Sequence, residues 1–284
     1  MKQYQRMLQK IIDEGERHDD RTGIGTLRIF GHMERYDLSD HRLPILTTRK
    51  MSLKVIATEL EWFMKGLTEV KWLEDRDVKV WSNEKWQDGN GGIGPIYGWQ
   101  WRHFGAQYTS CHRDYGGQGI DQLGELVDAL GSNPGSRRHI VTTWDPSKLD
   151  QAGLPPCLPI FQCSVDTEGR LHMALYQRSC DSFVGCPHDV AQYSLLTMIL
   201  AWLCDLKPGS LTHFIGDLHL YASHVDAANN LLKREPFPRP TLEAQLGFGL
   251  LFSQGRKGID HFEAGMVSLK NYKAHGPIKV EVAS

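Results

Sequence analysis

Cys157 stands directly behind two prolines, in the run Leu154-Pro155-Pro156-Cys157. Proline fixes its own φ and restricts the residue before it, so the approach to this thiol is stiff. A cysteine presented that way is a candidate nucleophile, because thiolates attack where hydroxyls need help. Downstream lies Tyr176-Gln177-Arg178-Ser179-Cys180-Asp181, where Arg178 and Ser179 can serve an anion. Then comes Gly185-Cys186-Pro187-His188-Asp189, which places a carboxylate, Asp189, beside the same stretch. A thiol, an anion site and a polar reader between Leu154 and Tyr193 point to covalent chemistry on a nucleotide. A nearby arginine would lower the thiol's pKa.

The elements that must hold these groups can be read from periodicity. Tyr4, Met7, Leu8, Ile11 and Ile12 fall on one helical face of residues 1–14. Residues 52–65 repeat the pattern through Leu53, Ile56, Ala57 and Leu60, ending near Gly66. Within them, Glu59 sits in the apolar run Glu59-Leu60-Glu61-Trp62-Phe63. A carboxylate there is costly to bury and its pKa should shift. Glu61 is the competing carboxylate, expected on a surface face. Residues 159–166 and 170–178 read as two strands of a hairpin turning at Glu168-Gly169. An apolar helix is expected from about Val190 to Cys204, ended by Lys207-Pro208-Gly209, and another over about 221–233. Strands and helices mix without βαβ alternation, which predicts an α+β fold with no Rossmann sheet.

Composition narrows the class. The 284 residues are 40% hydrophobic and 23% charged, suited to a single globular domain spanning 1–284. A net charge of −2 gives no footprint for wrapping duplex nucleic acid, so phosphate must be met by a few placed arginines. The run Leu195–Leu206 is interrupted by Thr197 and Asp205 and is too short to span a bilayer. Met1-Lys2-Gln3-Tyr4 opens no apolar signal segment. Six cysteines without paired metal spacing predict reduced thiols, no bound metal and a cytoplasmic setting.

The chain resembles thymidylate synthases nearly end to end. The matching runs include Asp20-Arg21-Thr22-Gly23, Glu59-Leu60 with Trp62-Phe63, and Gly94-Pro95-Ile96-Tyr97-Gly98. They continue through Ser136-Arg137-Arg138, Pro155-Pro156-Cys157, Tyr176 to Asp181, and Gly216-Asp217-Leu218-His219-Leu220-Tyr221. The resemblance implies a mixed sheet covered by helices and a homodimer packed through that sheet. It implies 5,10-methylenetetrahydrofolate as cofactor and a Cys157 adduct at C6 of a pyrimidine. It assigns phosphate to Arg21, Arg178, Ser179 and, across from the partner subunit, Arg137 and Arg138. It assigns the sugar to His219 and Tyr221, proton movement to Glu59, and the folate to Trp81, Asp181 and Gly185. The tail Gly276-Pro277-Ile278-Lys279 looks like the family's mobile C-terminus.

Two positions depart from the family. Its asparagine after Gly-x-Pro-x is Asp189 here, and the histidine after the nucleophile is Leu158. An asparagine amide meets uracil's N3–H donor and O4 acceptor; cytosine reverses that edge. A carboxyl sharing one proton with N3 completes the cytosine pair, so Asp189 predicts dCMP, as in phage deoxycytidylate methylases and hydroxymethylases. A hydride from the folate would then give 5-methyl-dCMP, and water would give 5-hydroxymethyl-dCMP. The alternatives are a dUMP-methylating enzyme and, outside enzymes, a nucleotide- or RNA-binding regulator. A zinc deaminase is disfavoured, since His-x-Glu with Pro-Cys-x-x-Cys does not occur. No membrane and no obligate nucleic acid partner are expected.

Overall fold

In the computed structural model, the described residues are 1–20, 22–245 and 254–281. The helices are α1 (Lys2–Glu14), α2 (Leu53–Met64), α3 (Val70–Glu74), α4 (Gly98–His103), α5 (Gln122–Ser132), α6 (Gly185–Leu203), α7 (Val225–Leu232) and α8 (Lys257–His261). The strands are β1 (Glu16–His18), β2 (Thr26–Asp37), β3 (Ile140–Thr142), β4 (Ile160–Val165), β5 (Arg170–Asp181), β6 (Lys207–Tyr221), β7 (Thr241–Ala244) and β8 (Val267–Lys270). Six strands form one sheet in the order β1-β2-β6-β5-β4-β3, and β7 pairs with β8. Only β5 and β6 run parallel within that sheet; its other pairs are antiparallel. The expected mixed α+β architecture is what folds.

α6 must cross over one face of the sheet to bring β6 alongside β5, since parallel neighbours cannot be joined by a tight turn. It is therefore buried on nearly every side, from Val190 through Leu203, as expected of a helix apolar all round. α2 packs beside it with Ile56 to Met64 all buried, and Ser52 caps its start by accepting from the Val55 amide at 3.3 Å. α4 approaches α2 so closely that a Cβ on Gly98 would lie 2.3 Å from the Phe63 carbonyl oxygen. That contact fixes the neighbouring Tyr97, whose backbone is held at φ 45°, ψ −110°. The cost of such a conformation is about 1–3 kcal/mol, which the surrounding packing has to offset.

Two expectations need correction. α6 begins at Gly185, earlier than Val190, so His188 and Asp189 are helical residues. Pro187 is tolerated there because in a first turn its missing N–H has no intrahelical partner to lose. Glu61 does not take a surface face. It is buried, accepts from Lys65 Nζ at 2.6 Å and receives the Ala264 amide at 2.8 Å. The hairpin turns as expected, with Gly169 at φ 72°.

On the face of the sheet away from α6, Met33, Phe214, Tyr176 and Ile160 lie in register across β2, β6, β5 and β4. All four are exposed, and Phe30 beside them is 77% exposed. An apolar row of this kind on a sheet face is a candidate interface.

Candidate active site

One cleft of about 530 Å³ opens between α2, the start of α6 and the ends of β5 and β6. Cys157, Glu59, Asp189, Arg178, Ser179, His219, Tyr221, Trp81, Asp181 and Gly185 all line it. Arg137 and Arg138 do not. They are exposed on the loop before β3, at the sheet's far edge. Arg21 lies outside the described residues. The tail Gly276–Ala283 is described only as far as Glu281. There it is tied down, with Arg234 donating to the Gly276 carbonyl at 2.7 Å and His224 Nε2 2.8 Å from that of Glu281.

Cys157 is half-buried, its amide donating to the Tyr97 hydroxyl at 2.9 Å. Its carbonyl accepts from the Arg178 amide at 2.8 Å. The Arg178 guanidinium is spent on backbone: Nε donates to the Pro156 carbonyl and Nη2 to that of Pro155, each at 2.8 Å. It also lies 5.3 Å over the Trp144 ring. Arg178 thus pins the Pro-Pro approach while its edge remains in the cleft. None of the six cysteines forms a disulfide.

Glu59 is buried on α2 and saturated with donors. Trp81 Nε1 reaches Oε1 at 2.7 Å, while His188 Nε2 and Gln192 Nε2 reach Oε2 at 2.6 Å each. Burial alone would raise this carboxyl. The facing His188 charge and the three hydrogen bonds outweigh it and hold Glu59 below its ordinary value. Burial likewise acts to lower His188, but the Glu59 carboxylate prevails and raises the imidazole above its ordinary value. His188 and Gln192, one helical turn apart, were not singled out by sequence reasoning. The signal available was their i, i+4 spacing on an apolar helix.

Asp189 takes the opposite course. Removal from water at the cleft floor, helped by the negative charges of Glu59 and Asp181, pushes its carboxyl up to about 7. His188 and the Gln177 hydrogen bond only partly offset that. Gln177 Nε2 donates to Asp189 Oδ2 at 2.8 Å. His213 is buried and driven down to about 3 by desolvation, with His32 adding to the effect. It is therefore neutral at physiological pH, and its Nε2 donates to Gln177 Oε1 at 2.8 Å. In this arrangement Gln177 accepts from His213 through Oε1, and its Nε2 is left to donate to Asp189.

At the other end of the cleft, His219 pairs with Asp217 at 3.1 Å, and Asp217 pairs with Arg28 at 3.3 Å. Tyr221 meets the His219 ring edge-on at 5.4 Å. Trp81, Trp86, Leu154 and Val184 form an apolar wall. Asp181 Oδ1 accepts the amides of Phe183 and Val184, and the residue lines the cleft beside Gly185. Among the described residues, no cluster of three His, Cys, Asp or Glu is placed to hold a metal. No helix among them is long and apolar enough to cross a membrane.

The mixed sheet with its one parallel pair, and a cleft walled by the ends of that pair, define a thymidylate synthase-type α+β protein. A family model described as thymidylate synthase matches residues 2–284, and the chain belongs to that family. It is 41% identical over 292 residues to a thymidylate synthase of Ascaris suum, covering 99% of this chain and 96% of that protein. It is 38% identical over 299 residues to a bifunctional dihydrofolate reductase-thymidylate synthase of Leishmania amazonensis, and 40% over 297 residues to one of Paramecium tetraurelia. The chain spans 55% and 61% of those two bifunctional proteins. Thymidylate synthases use 5,10-methylenetetrahydrofolate as co-substrate. The expected nearness to phage deoxycytidylate enzymes is not shown.

Proposed function

We propose that this chain, as one catalytic domain, transfers a one-carbon unit from 5,10-methylenetetrahydrofolate to C5 of dCMP, giving 5-methyl-dCMP through a Cys157–C6 adduct. The observation that carries the cytosine reading is Asp189, a carboxyl at the cleft floor where the family has an asparagine. Its Oδ2 is already oriented as an acceptor by Gln177, so a shared proton falls to Oδ1. One carboxyl oxygen then accepts from the cytosine N4 amine while the other shares its proton with N3.

The remaining roles follow from placement. The Cys157 thiolate adds to C6, making C5 nucleophilic. Arg178 and Ser179, with Arg21 and the partner's Arg137 and Arg138, meet the phosphate, and His219 and Tyr221 the sugar hydroxyl. Glu59 moves protons at the ring. Trp81, Asp181 and Gly185 receive the folate, which when bound supplies the carbon and, on the methyl branch, the hydride. Water reaching the exocyclic carbon instead would give the hydroxymethyl product. The exposed row through Met33, Phe214, Tyr176 and Ile160 supports a homodimer packed through the sheet, which would carry Arg137 and Arg138 to the other cleft.

A second reading is dUMP methylation, and the relatives favour it more directly, since those named above are thymidylate synthases or contain one. One observation of the site favours it too. A carboxyl pushed up to about 7 is half protonated at neutral pH, and a neutral carboxyl offers one donor and one acceptor, as an asparagine amide does.

The test is incubation of the protein with methylenetetrahydrofolate and either dCMP or dUMP, followed by mass spectrometry of the nucleotide. A methyl gain on dCMP supports the main reading, and a hydroxymethyl gain keeps the base but changes the branch. Turnover of dUMP alone overturns the cytosine reading. No turnover, with no nucleotide trapped on Cys157, favours a binding protein.

A further inference from the structure

His188 has no role in the chemistry assigned so far, and it does not line the cleft. It stands behind Glu59, on the first turn of α6, with its Nε2 2.6 Å from Glu59 Oε2 and its side chain 21% exposed. Of the three groups that donate to Glu59, Trp81 and Gln192 are neutral at any working pH; His188 alone carries a titratable proton. The next residue, Asp189, faces the base.

We propose that His188 is a positioning residue for Glu59: its imidazolium fixes the carboxylate and balances its charge, so that Glu59 enters the ring chemistry as a carboxylate. This rests on the reading of Glu59 as the group that moves protons at the ring. The charged groups facing the pair are few. Glu59 comes from α2 and Asp189 from α6 itself, and Asp181 at the end of β5 faces Asp189. A buried carboxylate held only by neutral donors would take up a proton far more readily than one facing a cation. With His188 in place, Glu59 stays ionised while Asp189, a short way along the same cleft, keeps its proton below about pH 7. The productive state therefore has one ionised and one protonated carboxyl, a division expected where neighbouring environments differ. His188 sets the acid edge of that range through Glu59 and does not touch the substrate.

The test combines activity with a readout that needs none. In protein labelled with ¹⁵N-histidine, the His188 resonance, assigned by its absence in His188→Gln, is titrated in the wild type and in Glu59→Gln. The expected result is a wild-type midpoint above the ordinary histidine range that drops in Glu59→Gln. In parallel, pH–rate profiles of His188→Gln and His188→Asn are measured on whichever nucleotide the wild type converts. Their acid limbs should move upward by about 1–3 pH units, the loss expected for an opposite charge in contact. Acid limbs superimposable on the wild type in both folded variants overturn the proposal, as does a His188 midpoint indifferent to Glu59→Gln. If the wild type converts neither nucleotide, the functional reading fails while the titration still decides the pairing.

Discussion

Gln177 is held by His213 on one side and donates to Asp189 on the other, each bond at 2.8 Å. His213 is neutral and its Nδ1 has no partner among the described residues, so a change of tautomer would let the Gln177 amide turn over and accept from residue 189 instead. In the arrangement observed, Asp189 Oδ2 accepts from Gln177. An asparagine whose Nδ2 donates to a turned-over Gln177 presents its oxygen to N3 and its amine to position 4, the uracil pattern, so Asp189→Asn should exchange the preferred base. Each mismatched buried group costs about 1–3 kcal/mol, so Asp189→Asn should lose about 10–100-fold or more in kcat/KM for dCMP. It should gain on dUMP, as measured by steady-state kinetics with both nucleotides.

The protonation of Asp189 also predicts a pH dependence. The free enzyme's kcat/KM reports its essential ionisations. Above about pH 7 the Asp189 carboxyl loses its proton, N3 of cytosine brings none of its own, and the bidentate pair fails. The profile should fall on the alkaline side with a midpoint near 7. Asp189→Asn should lack that limb.

Stability should follow the same group with a definite sign. In the unfolded chain an aspartate ionises at about 3.9; in the fold Asp189 does so at about 7. The native state thus holds the extra proton between those values, and its stability falls as pH rises through that window. Asp189→Asn removes the loss. At pH 8 it should be more stable than the wild type by on the order of 1–3 kcal/mol, allowing for partial solvent contact. The gap should close near pH 4, as urea melts at the two pH values will show.

Tyr97 stands at the backbone of Cys157, the proposed nucleophile. Tyr97→Phe leaves the Cys157 amide without the hydroxyl it now donates to. Loss of one such bond is worth about 1 kcal/mol, so kcat should fall about fivefold. Cys157→Ala should abolish both turnover and the covalent adduct seen by intact-protein mass spectrometry.

Arg137 and Arg138 lie away from their own cleft, which makes a complementation experiment decisive. Cys157→Ala and the double variant Arg137→Ala/Arg138→Ala should each be inactive. Mixed and refolded together, they should recover about a quarter of wild-type activity, because half the dimers carry one complete site. No recovery would place the arginines' role within one protomer.

The local motifs made much of the cleft readable. Cys157 behind its prolines, Arg178 with Ser179, and the His219-Leu220-Tyr221 run each carry their meaning in adjacent residues. What escaped was contact between distant segments. His188 and Gln192 reach Glu59 across 129 and 133 residues, and no spacing in the chain announces that. The start of α6 escaped because Pro187 signals an interruption unless it falls in a first turn. Glu61 looked free to face water because periodicity cannot show that Lys65 and the Ala264 amide would cover it. The strand β6 was hidden by Pro208 and Gly209, tolerated where its pairing with β5 shifts register.

α6 gives its opening residues the rigidity of the protein's interior. Since the helix cannot shift without disturbing the core around it, a different base cannot be admitted by moving the backbone. On the cytosine reading it would be admitted by exchanging an atom in place, an oxygen for a nitrogen at residue 189. Codons for aspartate and asparagine differ by a single base. A lineage could therefore cross between two pyrimidine substrates in one mutational step, with the scaffold, the thiol and the phosphate grip carried across unchanged.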